Sequence, residues 1–196
     1  MVNGRYVLFR PLQALGHYFK RSFVEYANLP LKVKLKRGGI GCLKLVNLAC
    51  FIHLFPEYVG RPSTMSGPSM LPTLAAGGEV IIEDRLSVRL DPDKFHRGEL
   101  LIFKSPLHPA RMVCKRVAGL PGDVICVDPT GEKAPSTEHV VVPKGHLWMV
   151  GDNASWSRDS RTYGPVPMGL IYSRLRARVW PIKDFKIFGS NLSYID

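Results

Sequence analysis

The stretch from residue 78 to residue 150 alternates short apolar runs with turns rich in glycine and proline. Each run has roughly four to seven residues, a length typical of strands and short for a helix. The runs occupy residues 79–83, 97–103, 111–117, 124–127, 139–142 and 147–150. Strands at this spacing favour an all-β arrangement over βαβ units. The pattern therefore predicts a mostly β fold, with a compact, barrel-like domain over residues 60–185.

The N-terminal part of the chain is strongly basic. Residues 1–44 contain nine lysines and arginines but only one acidic residue, Glu25, and so carry most of the net charge of +11. A basic, acid-poor N-terminus is typical of a mitochondrial targeting segment, which we predict for residues 1–39. The same charges also suit the positive flank of a membrane helix, because they directly precede an apolar run.

That apolar run covers residues 40–55 and is interrupted by Lys44, Asn47 and His53. A bilayer span usually needs about 20 consecutive apolar residues, so this run is short for one. We predict a single apolar anchor helix over residues 40–58. The alternative is an amphipathic helix that lies on the membrane or packs on a partner. Residues 186–196 are predicted to form a C-terminal tail.

Length and composition restrict the possible functions. A chain of 196 residues can hold one ordinary domain plus an appendage. Its positive charge would suit nucleic acid or an anionic membrane, but residues 1–60 contain no clear helix-turn-helix pattern, so we predict no nucleic-acid partner. The four cysteines form no C-x-x-C pair and have no histidines at zinc spacing. We therefore predict no metal and no cofactor.

One serine stands in a segment suited to present it. In residues 64–74, T-M-S-G-P-S-M-L-P-T-L, Ser69 follows Gly67 and Pro68 and precedes Pro72. The two prolines fix φ, and the glycine permits backbone conformations that other residues avoid, so the hydroxyl is held in a rigid turn. Such a segment could hold a nucleophile, although a surface turn has the same composition.

Two later segments contain groups that could assist a serine nucleophile. The strand-like run at residues 111–117 has Lys115 near its centre and is followed by a Pro-Gly-Asp turn. A lysine in such a strand either buries its amine or extends it to solvent. Residues 151–167 combine turn-forming residues with charges and hydroxyls.

Taken together, these segments resemble the type I signal peptidase family, most closely its mitochondrial inner membrane protease branch, the subunit 1 type. The matching motifs are S-M-x-P-T at residues 69–73, K-R-V-x-G-L-P-G-D at 115–123 and G-D-N-x-x-x-S-x-D-S-R at 151–161. The resemblance covers roughly residues 60–182. Three motifs in the family's order make a chance match implausible.

The resemblance implies a serine–lysine dyad, with Ser69 as nucleophile and Lys115 as general base. A lysine with an unperturbed pKa near 10.4 is less than about 1% neutral at pH 8, but burial disfavours the ammonium form and lowers the pKa. The chain has no G-x-S-x-G signature of a serine–histidine hydrolase. The endoplasmic reticulum relatives have histidine at the lysine position, so that branch is disfavoured.

The resemblance also implies supporting residues. Ser157 matches the family position whose hydroxyl helps to orient the lysine, and Asp159 with Arg161 match a supporting ion pair. The oxyanion is expected to bind the Ser69 backbone N–H, with the backbone at Gly67 as second donor. Some bacterial members have a hydroxyl at the position of Gly67, and this chain does not.

By the same resemblance, the chain is expected to be a membrane-bound serine endopeptidase that removes presequences through an acyl-enzyme. Its substrates would be precursor polypeptides delivered to the mitochondrial intermembrane space. The expected location is the mitochondrial inner membrane, with the catalytic domain facing that space. Membrane lipid and a homologous second peptidase subunit, forming a heterodimer, are the expected partners.

Three other functions remain open from the sequence. A bacterial-type leader peptidase would use the same dyad and differ in location. A non-catalytic membrane-anchored scaffold could keep the fold, although the chain has both Ser69 and Lys115. A self-cleaving repressor-type β domain also uses a serine–lysine dyad, but the apolar run at residues 40–55 fits a membrane better than a DNA-binding segment.

Overall fold

A computed structural model of the protein describes residues 29–131 and 134–190. The chain divides into two compact units, one ending at Ile52 and one beginning at His53. Most of the predicted targeting segment and the end of the predicted tail lie outside the described residues.

A long helix, α1, covers Leu31–Tyr58. Its 28 residues, at about 1.5 Å per residue, give a length of about 42 Å, and by length and composition alone it could cross a membrane. The anchor predicted for residues 40–58 ends where α1 ends, but α1 begins earlier, directly after Pro30. The leucines and lysines before residue 40 are strong helix formers and extend the helix toward the N-terminus.

Ten strands and two short helices follow α1 in the described residues. The strands are β1 (Gly60–Thr64), β2 (Val80–Asp84), β3 (Leu100–Lys104), β4 (Met112–Gly119), β5 (Val124–Cys126), β6 (His139–Val141), β7 (His146–Val150), β8 (Val166–Pro167), β9 (Ile171–Trp180) and β10 (Lys186–Ile187). The helices are α2 (Leu86–Leu90) and α3 (Ser160–Tyr163), and short 3-10 helices cover Pro68–Met70, Met168–Leu170 and Ile182–Asp184. Each of the six predicted runs overlaps one observed strand, so the prediction of a mostly β fold is confirmed.

Eight strands form one antiparallel sheet in the order β1-β2-β9-β3-β4-β7-β8, with β10 paired to β9. Strands β5 and β6 form a separate two-stranded sheet. The large sheet is a curled half-barrel with β1 and β8 at its ends, which agrees with the predicted barrel-like domain. The residues predicted to form a C-terminal tail begin with a strand, β10. Lys186 and Ile187 form this strand by pairing with Arg178 and Ala177.

Both faces of the sheet are covered, which explains the unbroken apolar run of β3. Leu101 and Phe103 belong to one buried cluster, whereas Leu100 and Ile102 belong to another on the opposite face. Successive strand residues point to opposite faces, so a strand covered on both sides is apolar at every position. The second cluster also contains Met70, which lies next to Ser69 and ties the serine segment to the sheet.

Candidate active site

Ser69 lies in the short 3-10 helix Pro68–Met70 and is held there by backbone contacts. Gly67 precedes this helix with φ at 123°, a conformation that favours glycine. Asn153 fixes the segment from the other side. Its backbone N–H donates to the Ser69 carbonyl oxygen at 3.1 Å, and its Nδ2 donates to the Pro68 carbonyl oxygen at 3.1 Å.

Lys115 reaches the serine from β4, where it pairs with Leu101 of β3. Its side chain is almost fully buried, with 3% of the residue exposed. The Lys115 Nζ donates a hydrogen bond to Ser69 Oγ at 2.5 Å. The structure therefore brings together the two residues that the sequence singled out, although 46 positions separate them in the chain.

The buried position changes the proton affinity of Lys115. Burial lowers the pKa of the Lys115 amine, because the ammonium form loses its hydration. The negative charges of Asp159 and Asp152 act in the opposite direction, but the pKa remains below its ordinary value. A larger fraction of the amine is therefore neutral near pH 8 than for an exposed lysine.

Cys114 precedes Lys115 and, together with it and Ser69, lines a groove. Burial raises the pKa of the Cys114 thiol to about 12, so it remains protonated at neutral pH. A thiol acts as a nucleophile through its thiolate, so the Cys114 thiol is a poor nucleophile at neutral pH.

Asp159 and Arg161 form an ion pair whose side chains are buried. Arg161 donates from Nε and Nη2 to the two carboxylate oxygens of Asp159 at 2.9 and 2.7 Å. Asp159 is 0% exposed and also accepts a hydrogen bond from the Gly151 N–H at 2.9 Å. Burial acts to raise the pKa of Asp159, but hydrogen bonds from Arg161, Ser157 and Gly151 outweigh it and lower that pKa.

Ser157 is buried beside this ion pair, and its hydroxyl helps to lower the pKa of Asp159. Its role in orienting Lys115 stays a prediction. Gly151 lies between Ser157 and Ser69, and there is very little space around it for a side chain. A Cβ atom at Gly151 would lie 2.6 Å from the Ser69 carbonyl oxygen and would also collide with the Ser157 side chain.

We expect Gly151→Ala to lower kcat by about 10²-fold, because displacing a reacting group by about 1 Å can cost that much. The added methyl must push the Ser69 carbonyl or Ser157 aside. Gly169→Ala is the matched control, since a Cβ there meets nothing within 4 Å. Cleavage rates and thermal unfolding of both variants check this. Equal kcat values for Gly151→Ala and the wild type would contradict it.

The sequence missed a second ion pair beside the lysine. Arg116 donates from Nε and Nη2 to the carboxylate of Asp152 at 2.8 and 2.6 Å. It also donates to the Gly98 carbonyl oxygen and to Thr73 Oγ1. This ion pair connects β4 to the loop that follows β7. The sequence signal for this ion pair was the adjacent K-R in the motif at residues 115–123 and the G-D-N in the motif at residues 151–161.

The structure does not support Gly67 as a backbone donor for an oxyanion. The Gly67 N–H already donates to the Ala76 carbonyl oxygen at 2.9 Å, which closes the loop around the serine. What Gly67 supplies is its positive φ. The Ser69 N–H lies in the first turn of a 3-10 helix, where backbone amides have no acceptor within the helix.

A groove of about 220 Å³ opens in front of the serine and lysine. One wall comes from residues 63–67, and the other from Met112 to Lys115 on β4. Strand β4 pairs with β3 from Met112 onward, but with β7 only from Arg116 onward. Within the described residues, the β7-side edge of β4 before Arg116 thus has no strand partner.

Comparison with known proteins agrees with this architecture. The family model for signal peptidase, peptidase S26, matches residues 41–133 and 129–180. Mitochondrial inner membrane protease subunit 1 of Schizosaccharomyces pombe is 44% identical over 139 residues, which cover 71% of this chain and 85% of that protein. The human protein of the same name is 41% identical over 140 residues, covering 71% and 81%. Subunit 2 of the Saccharomyces cerevisiae protease is 37% identical over 123 residues, covering 60% and 66%.

The chain therefore belongs to the peptidase S26 family of signal peptidases. This confirms the family that the motifs indicated. The relatives of this chain include proteins named as subunit 1 of the mitochondrial inner membrane protease.

Proposed function

We propose that this protein is a serine endopeptidase that uses Ser69 as nucleophile and Lys115 as general base. The 2.5 Å contact between Lys115 Nζ and Ser69 Oγ, inside a buried site, carries this proposal. A neutral amine at that distance can accept the hydroxyl proton directly. Burial supplies the neutral form by lowering the pKa of Lys115.

The reaction has two stages. In the first, Ser69 Oγ attacks the scissile carbonyl carbon while its proton moves to Lys115 Nζ. The tetrahedral intermediate then collapses, the C–N bond breaks, and the departing amine takes the proton from Nζ. This leaves an ester between Ser69 and the substrate acyl group. In the second stage, Lys115 takes a proton from a water molecule that attacks the ester carbonyl carbon. The bond between that carbon and Ser69 Oγ then breaks, the acyl group leaves as a carboxylic acid, and Lys115 returns the proton to Ser69 Oγ.

The intermediate needs hydrogen-bond donors for its oxygen. The Ser69 N–H is the donor that we assign, because of its position at the start of a 3-10 helix. Gly67 contributes indirectly, since its positive φ and its bond to Ala76 hold the turn. Asp159 and Arg161 anchor the loop around Gly151, and Ser157 lies between this ion pair and the serine segment.

The substrate is expected to bind as an extended strand. The edge of β4 from Met112 to Lys115 borders the groove, and main-chain hydrogen bonds to such an edge are a common way to hold a peptide. An added strand would run past Ser69 Oγ with alternate side chains facing the groove.

The proposed substrates are presequence-bearing precursors delivered to the mitochondrial intermembrane space. Helix α1 would anchor the protein in the inner membrane, with the β domain facing that space. The names of the relatives support this location, since they include subunits 1 and 2 of a mitochondrial inner membrane protease. We also propose a heterodimer with a homologous second subunit, because both subunits are similar to this chain.

The pH dependence of cleavage tests the proposed base. We expect kcat/KM for a membrane-anchored precursor in detergent to rise with pH and level off, with an apparent pKa well below 10.4. The buried Lys115 must lose its proton before it can accept one, and its pKa is lowered. The measurement runs from pH 6 to 10 with the second subunit co-expressed.

A rate that still rises at pH 10 would indicate a lysine with an unperturbed pKa and would contradict the buried-base assignment. Mass spectrometry of the quenched reaction gives a second readout. We expect the mass of the substrate acyl group to appear on Ser69. An acyl group on any other residue would contradict the assignment of the nucleophile.

A further inference from the structure

The serine segment, residues 64–74, is held together by hydrogen bonds of its own. The Leu71 N–H donates to the Pro68 carbonyl oxygen at 3.2 Å. The Leu74 N–H donates to the Met70 carbonyl oxygen at 2.8 Å, and the side chains of these two residues pack in one buried cluster. Apolar packing is not directional, so the orientation of the segment depends on hydrogen bonds from other elements.

Residues of other elements supply such hydrogen bonds at two places. Asn153 binds the carbonyl oxygen of Ser69 and the one before it. At the far end of the segment, Thr73 accepts hydrogen bonds from two arginines. Arg116 Nη2 donates to Thr73 Oγ1 at 3.3 Å, and Arg178 Nη1 donates to the Thr73 carbonyl oxygen at 3.3 Å. The far end is therefore tied both to β4, the strand of the lysine, and to β9.

Arg178 is itself fixed by groups outside the serine segment. It lies on β9, and its Nη1 also donates to Glu79 Oε1 at 2.6 Å. Its Nε donates to the Asp184 carbonyl oxygen at 2.7 Å. The side chains of Arg178 and Glu79 are 15% and 7% exposed, so this ion pair is largely removed from solvent. The nitrogen that holds Thr73 thus has a defined position.

The chain between Thr73 and Glu79 is a poor support by itself. Residues 75–78 are A-A-G-G and are exposed, and glycine has the greatest backbone freedom of all residues. Ala76 in this loop accepts the hydrogen bond from the Gly67 N–H, so a displaced loop would move the turn before the serine. A single atom, Arg178 Nη1, connects the two ends of this loop.

We propose that Arg178 is a positioning residue for catalysis. It joins Thr73 to Glu79 and thereby holds the serine segment. The held segment places Ser69 Oγ at the distance where Lys115 Nζ contacts it. Displacement of a reacting group by about 1 Å can cost about 10²-fold in rate. This inference rests on the proposed peptidase function, because it concerns the geometry of the same two groups.

Arg178→Met should lower the single-turnover rate of cleavage of a membrane-anchored precursor by at least about tenfold. Methionine keeps an unbranched side chain that donates no hydrogen bond. Arg176→Met is the matched control, because Arg176 lies on the same strand and binds Asp84 and Ser87 instead. It should stay within about twofold of the wild-type rate, and a folded Arg178→Met that does the same overturns the inference.

Arg178→Lys distinguishes positioning from a merely structural role. The hydrogen bonds to Thr73 and Glu79 both come from Nη1, whereas Nε holds Asp184. A lysine ammonium has three donors and can replace Nη1, but it cannot replace Nε as well. Lysine is one atom shorter, so we expect a partial rescue, at least about fivefold faster than Arg178→Met. A lysine variant as slow as the methionine variant overturns the inference.

A double variant keeps the test decisive if Arg178→Met does not fold. Loss of Arg178 alone leaves the Glu79 carboxylate buried without its partner, which is destabilising. Arg178→Met with Glu79→Leu removes both charges and should fold, since apolar replacement of a buried ion pair is often neutral. It should cleave as slowly as Arg178→Met, because the Thr73 carbonyl still lacks this donor. A wild-type rate in the double variant overturns the inference.

Ser69→Ala, assayed on the same precursor, separates the two levels of the proposal. If cleavage survives in Ser69→Ala, the proposed function fails and this inference fails with it. If cleavage requires Ser69 but its rate is indifferent to Arg178, only this inference fails.

Discussion

Ser69→Ala is expected to lower kcat for a membrane-anchored precursor by roughly 10⁴-fold or more, since removing the nucleophile of a serine protease can cost up to ~10⁶-fold. The substitution removes the oxygen that Lys115 contacts and leaves no atom to form the acyl intermediate. The serine segment should keep its position, because Asn153 donates its hydrogen bonds to backbone carbonyl oxygens of that segment and not to the Ser69 hydroxyl.

The measurement is the single-turnover cleavage rate of purified variants, with thermal unfolding to verify the fold. Ser155→Ala is the matched control, because it removes an exposed hydroxyl from the loop that carries Ser157. It should keep nearly the full rate. Residual cleavage of more than about one hundredth of the wild-type rate in Ser69→Ala would exclude Ser69 as the nucleophile.

The sequence predicted the strands whose apolar character is continuous, and it missed a central one. Strand β9 lies between β2 and β3, yet its sequence contains Arg174, Arg176 and Arg178. Each of these arginines finds an acceptor on another element: the Lys94 carbonyl, Asp84 and Glu79. Local sequence does not show partners that are distant in the chain. The charged sequence of β9 therefore resembles that of an exposed segment and does not predict a central strand.

In the candidate site, too, local sequence indicates individual residues but not their distant partners. Ser69 and Lys115 could be found because short motifs carry them. The motifs also contain Arg116 and Asp152, but they do not show that these two residues form an ion pair, because that depends on how β4 pairs with β7. The amide of Gly67, which we expected to be an oxyanion donor, is a related case. A hydrogen bond to Ala76, on the far side of the loop, occupies that amide.

Lys115→Met should have two opposite effects, a loss of activity and a gain in stability. Without the amine, Ser69 Oγ loses the base that contacts it at 2.5 Å, and kcat should fall by about 10²–10⁴-fold, the range for a general base. Methionine has a similar length and carries no charge into the buried site. We expect the variant to be more stable at pH 7 by ~0.5–2 kcal/mol, as for other substitutions that relieve a functional site.

The stability gain should depend on pH in a defined direction. The folded state lowers the pKa of Lys115 below its value in the unfolded chain, so between these two pKa values the unfolded state binds more protons. The wild type therefore becomes more stable as pH rises through that window, whereas Lys115→Met lacks this contribution. The advantage of the variant should be largest below the folded pKa of Lys115 and vanish near pH 10.4, the unfolded value.

Urea unfolding of wild type and variant from pH 6 to 10.5 measures this difference. Lys104→Met is the matched control, because Lys104 is exposed at the end of the neighbouring strand β3 and should show no such pH dependence. Packing changes at residue 115 would shift stability equally at every pH, so the slope isolates the buried charge. A pH-independent difference for Lys115→Met would mean that the lysine titrates as it does in solvent. The base for Ser69 would then have to come from another residue.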